Sequence, residues 1–168
     1  MRFRGVVYRA HLPERALADP LSGMGAALYG GRFNRKGVPA FYTSLSLAGA
    51  VREVSRAGFP IQPVLLAAYE VDCSPILDAT RPEPMAREGV RAEDLDPPDW
   101  RRDRDRGRIP ACWAVADRLI ARGYAGMLVP AFFRGAGPDD RNLVLWTWGD
   151  SLPSRIQLID AEGRLTPK

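Results

Sequence analysis

The chain has 168 residues, 46% hydrophobic and 26% charged, which is ordinary globular composition and enough length to bury a core. No apolar run approaches the roughly 20 residues of a membrane helix, and the basic Met1–Arg9 stretch has no sustained apolar region behind it, so neither a membrane partner nor a secretory signal is expected. The formal charge is +4, but between Arg81 and Arg108 eight arginines meet eight acids, so the charges are mixed rather than sorted and no direct nucleic-acid partner is expected.

Gly5 to Ala10 reads as a first strand ending in Arg9, followed by a loop at Asp19-Pro20-Leu21-Ser22-Gly23-Met24-Gly25. Pro39 to Thr43 is a short strand. Ser44 or Ser46 then caps a helix running to about Ala57, with Gly58 and Pro60 stopping it. Val64 to Val71 and Ile76 to Asp78 read as strands. The proline-broken span from Arg81 to Arg108 fits short helices and loops. A helix opens at Ile109-Pro110-Ala111 and closes at Gly123, with Trp113, Ala116 and Ile120 on its apolar stripe. Met127 to Pro130, Asn142 to Trp146 and Arg155 to Ile159 are further strands. Strands in pairs and runs predict a single α+β domain over residues 1–168, with a mixed or antiparallel sheet core and flanking helices. Cys73 and Cys112 lack metal-ligand spacing and read as free, buried thiols of a cytoplasmic protein.

The chemistry-bearing residues concentrate between Gly30 and Glu53. Arg32 follows two glycines that let the backbone approach a ligand; its guanidinium suits a diphosphate, or is a solvated charge on a turn. Glu53 falls on the flank of the apolar face made by Leu47, Ala50, Val51 and Val54, where it looks into a cleft or pairs with Arg56. Tyr42 ends a strand before that helix and can stack on a flat ring, or is a half-buried core tyrosine. Arg9 offers a second phosphate contact. His11, the one histidine, has no nucleophile or metal partners in the sequence and reads as a surface residue.

In order, Tyr8-Arg9, Leu28-Tyr29-Gly30-Gly31-Arg32-Phe33-Asn34, Gly37-Val38-Pro39-Ala40-Phe41-Tyr42-Thr43-Ser44 and Ala50-Val51-Arg52-Glu53-Val54 resemble the RES family. The likeness continues at Leu128-Val129-Pro130 and Asn142-Leu143-Val144-Leu145-Trp146. The resemblance implies a fold similar to ADP-ribosyltransferases and the role of a toxin restrained by an Xre-type antitoxin. It implies NAD as the substrate, no metal, and either transfer of ADP-ribose to a target protein or degradation of NAD by a glycohydrolase or phosphorylase reaction. Glu53, Arg32 and Tyr42 become the expected catalytic residues, with Arg9, Arg32, Tyr42, Ala131 and Asn142 around NAD. The family's serine position is occupied by Ala131. A homodimer within the antitoxin complex, formed through exposed apolar residues such as Trp100, is a further expectation. The contrasting expectation is a non-catalytic, arginine-rich binding module.

Overall fold

Alternating apolar side chains set the strands. In the computed structural model, which describes residues 1–55 and 62–165, Phe3–His11 (β1) and Leu65–Cys73 (β3) form a long antiparallel pair. Their register runs from Phe3 opposite Cys73 to His11 opposite Leu65. Phe41–Ser44 (β2), Ile76–Asp78 (β4), Gly126–Pro130 (β5), Arg141–Leu145 (β6) and Ser154–Leu158 (β7) join them in one sheet, ordered β4-β5-β6-β2-β1-β3-β7. β4 and β5 are parallel; the other pairs are antiparallel. The result is the mixed-sheet α+β architecture anticipated from the paired strand runs.

Successive strand residues point to opposite faces, and both faces are covered. One face carries Leu77, Met127, Val129 and Val144, with Tyr42 beside them. It packs against Pro82–Arg87 (α4), Ala92–Leu95 (α5), Trp100–Asp105 (α6) and Ala111–Ala121 (α7) through Met85, Leu95, Trp100, Trp113 and Ala116. The other face carries Val7, Phe41, Tyr69, Val71, Leu143 and Ile156, with Leu21 and Trp148 packed on them. Leu47–Val54 (α3) lies across β1 and β2. Its start is fixed by Ser46, whose Oγ accepts from the Gly49 N–H at 3.0 Å, so the second of the two expected caps is the one used. Among the described residues, no helix is long and apolar enough to cross a membrane.

Four readings change. β1 continues past Arg9 to His11, and Pro13–Ala18 (α1) and Met24–Tyr29 (α2) are helices where no helix was read. Each has six residues, too few to display a helical period, and α2 begins inside the expected loop. His11 is not a surface residue: it shares the inward register of Val7, is only 6% exposed, and bonds Tyr69 Oη through Nε2 at 2.7 Å. Trp100 is not exposed either. It is buried beneath the helical layer, so it offers no apolar patch for self-association. The expected helix end at Ala57 to Pro60, and the Arg56 partner for Glu53, lie outside the described residues. Cys73 and Cys112 are free and buried, and burial pushes both thiols up to about 11.

Candidate functional site

The segment after α2 is pinned from every side. Gly30 closes that helix at φ +71°, a conformation that favours glycine. The buried Asn34 then binds the loop to itself. Its Nδ2 donates to the carbonyls of Ala26 and Val38, both at 2.8 Å, and its Oδ1 accepts from the Gly31 N–H at 2.9 Å. Tyr42 Oη donates to Asn34 Oδ1 at 2.7 Å and accepts from the Phe33 N–H at 2.9 Å. Two indoles finish the anchorage: Trp113 Nε1 donates to Gly31 O and Trp146 Nε1 to Phe33 O, each at 2.8 Å. Gly31 is required for a reason internal to the protein. A Cβ there would stand 2.4 Å from the Tyr42 hydroxyl.

What this rigid loop presents is Arg32. Its guanidinium carbon lies 4.5 Å from the Phe132 ring centre and 5.4 Å from that of Trp100, and the side chain is 16% exposed. Aromatic faces favour a cation electrostatically and fix the plane of the guanidinium. Nη1 also donates to Asp96. Tyr42 thus holds the arginine loop with its hydroxyl, and burial keeps that hydroxyl protonated well past its usual range.

Glu53 meets this arrangement from α3. Buried Gly49 and Ala50 seat the helix on the sheet, leaving the Glu53 carboxylate exposed on its flank. Asn142, opposite Ser44 in the β2–β6 ladder, donates from Nδ2 to Glu53 Oε1 at 2.6 Å. The carboxylate accepts only, so it dictates that the amide nitrogen faces it. Asn142 Oδ1 is consequently left buried with no hydrogen-bond partner, an acceptor awaiting a donor.

Tyr42, Glu53 and Asn142 line two cavities at once. The smaller, about 250 Å³, reaches over Tyr8, Ser44 and Ala50. The larger, about 430 Å³, is bounded by Arg32, Trp100, Phe132 and Phe133. Among the described residues, Arg52, Arg101 and Arg134 join Arg32 in that wall, and Glu53 is the carboxylate residue that lines it. A cleft so lined favours a bulky, flat, anionic ligand. Among the described residues no group of His, Cys, Asp and Glu could hold a metal ion.

The structure therefore brings together Arg32, Tyr42, Glu53 and Asn142; Arg9 is among the residues that line the smaller cavity, but its guanidinium makes its contacts elsewhere. Arg9 lies over the Phe41 ring at 4.3 Å and donates to Ser22 O at 3.0 Å. Phe41 and Tyr42 are successive strand residues, so this guanidinium sits on the sheet face opposite the Tyr42 ring. Burial there lowers its pKa. Ala131 lies in sequence between Val129 and Phe132, which line the larger cavity, but is itself buried and lines neither cavity; its N–H donates to Asp140 O at 2.8 Å. Trp100, Phe132, Phe133, Asp96, Arg101 and Arg134 were missed by sequence reasoning. Asp96 and Arg101 were hidden in the mixed-charge span from Arg81 to Arg108, and the aromatics have no periodicity that distinguishes a cleft wall from a core.

A family model described as RES domain matches residues 6–166. Among solved structures, the chain is similar to one in the crystal structure of the M. tuberculosis MbcT–MbcA toxin–antitoxin complex, with a TM-score of 0.64 and 25% sequence identity. The match covers 95% of this chain and 84% of that one. No curated protein matches.

Proposed function

The chain belongs to the RES domain family, and on that premise we propose that it is the toxin of a toxin–antitoxin pair and splits NAD at the bond between nicotinamide and ribose. One observation supports this above others. Glu53, oriented by Asn142, stands where the two cavities meet, in the cleft that also holds the ring-clamped Arg32. NAD is likewise two nucleosides joined by a diphosphate, and its reacting ribose needs a carboxylate nearby.

In this reading Arg32 forks onto the diphosphate, with Arg52, Arg101 and Arg134 raising the local concentration of anions. The Tyr42 ring and the aromatic wall receive the flat bases. Asn142 Oδ1 accepts from a ribose hydroxyl or the carboxamide. When the glycosidic bond breaks, its electron pair leaves with the nicotinamide nitrogen and positive charge develops on the ribose, as in glycoside cleavage. The Glu53 carboxylate stabilises that charge from a fixed position. The ADP-ribose then passes to a side chain of a target protein; water and phosphate are alternative acceptors that share the same first step. Likeness to a chain of a toxin–antitoxin complex supports an antitoxin as the protein partner. An inhibitor of this type would reach the cleft near Arg32 and Glu53.

The test is nicotinamide release from NAD by the purified protein and by Ala131→Ser, which restores the family hydroxyl. Release that disappears in Glu53→Ala, with thermal stability kept, supports the reading. No release from either protein removes it, and a salt-sensitive shift of random DNA would then favour a binding module.

A further inference from the structure

Arg32 is not free in this cleft; an acid of the protein already occupies it. Its Nη1 donates to Asp96, which follows α5 in the sequence Asp96-Pro97-Pro98-Asp99. We propose that Asp96 is a built-in competitor for the diphosphate site, so that ligand binding exchanges its carboxylate for phosphate oxygens and Asp96 sets how tightly anions bind. This rests on the reading of Arg32 as the diphosphate grip.

The two partners differ in freedom. The Arg32 side chain is 16% exposed and held between the Phe132 and Trp100 rings on a loop bonded from several sides. The Asp96 side chain is 56% exposed. Breaking their contact therefore leaves the arginine in place and swings the aspartate into water, where a carboxylate is well solvated. The segment that carries it is short and stiff. Leu95 and Trp100 are both buried and anchor its two ends, while the prolines fix φ at positions 97 and 98. The carboxylate is thus delivered to the guanidinium without ordering a flexible loop. One carboxylate carries one negative charge, whereas a diphosphate brings at least two and matches the guanidinium fork. Substrate displaces Asp96, but against a standing competitor.

The experiment is calorimetric binding of inorganic pyrophosphate and of ADP-ribose to wild type, Asp96→Asn and Asp96→Ala. Glu93→Gln is the control for net charge, since Glu93 is exposed and paired to Arg91 at 3.1 Å. Both Asp96 variants should bind either ligand about 1.5–5-fold more tightly, the range set by an exposed ion pair, and Glu93→Gln should bind as wild type does. Adding Arg32→Ala should abolish the gain. Adenosine, which has no phosphate, should bind all forms alike. Unchanged or weaker pyrophosphate binding in folded Asp96→Asn and Asp96→Ala would overturn the proposal, because Asp96 would then serve only to position Arg32. A gain in pyrophosphate affinity, without nicotinamide release by any form, would keep Asp96 as competitor and remove the NAD-splitting reading.

Discussion

Replacing Tyr42 with phenylalanine separates two roles that the side chain could play. The substitution keeps the ring that faces both cavities and removes only the hydroxyl. That hydroxyl accepts from the Phe33 N–H at 2.9 Å and donates to Asn34 Oδ1 at 2.7 Å. Phe33 is 2% exposed and Asn34 1%, so water cannot replace either bond. Asn34 Oδ1 retains its Gly31 donor, whereas the Phe33 N–H is left without a partner. An orphaned buried amide costs about 1–3 kcal/mol, so Tyr42→Phe should lose about 2 kcal/mol. For a domain of this size each kcal/mol shifts Tm by about 2–4 °C, which gives a fall of about 4–8 °C. Urea melts should show a lower midpoint with an unchanged slope. The loosened loop should also weaken ADP-ribose binding although the stacking surface is intact. Burial holds the phenol protonated far above neutrality, so none of these effects should vary across the neutral pH range. A variant with wild-type Tm and wild-type ADP-ribose affinity would refute the account of Tyr42 as the anchor of the Arg32 loop.

Gly31→Ala attacks the same anchor from the opposite side. Its Cβ would stand 2.4 Å from Tyr42 Oη and 2.7 Å from Asn34 Oδ1, so thermal melts should show a loss of about 1–3 kcal/mol and calorimetry a loss of ADP-ribose affinity. Glu53→Gln should reduce nicotinamide release on the order of 100-fold while leaving Tm near that of wild type, because the carboxylate is exposed and the Asn142 contact can be kept. Stability should fall in two stages on acidification. Burial, reinforced by the charge of Arg9, lowers His11 from 6.5 to about 4, so the unfolded chain takes up that proton first and stability declines between those values. Hydrogen bonding from Arg2 lowers Asp72 below its usual range; its contribution is present above the unfolded value of about 3.9 and disappears as pH falls through the lower folded value. Urea melts along the titration should show His11→Asn flattening the upper stage and Asp72→Asn only the lower.

Much of the fold was legible because its signals are local. The Val64 to Val71 reading found most of β3, Ile76 to Asp78 matched β4, and Ser46 was one of two caps considered for α3. Each depends on a period of two or on hydrogen bonds within a few residues. His11 was misread for the complementary reason. Its burial depends on the Tyr69 hydroxyl, 58 residues away, and no local pattern announces that bond. Trp100 was misread because a tryptophan in a charged span looks the same whether it covers a core or faces water.

By itself the sequence determined the strand set, the order of the Arg32, Tyr42 and Glu53 segments, and through that order the family. Those features follow from chain neighbours, whose spacing is written directly in the residues. Only tertiary structure decided what the side chains do. It gave Tyr42 to the loop as an anchor, turned Arg9 to the other face of the sheet, and joined Glu53 to Asn142 across 89 residues. It also set Asp96 and two aromatic rings around Arg32. Such partners are chosen by where strands pair and helices cross, and contacts between distant segments leave no period in a single chain.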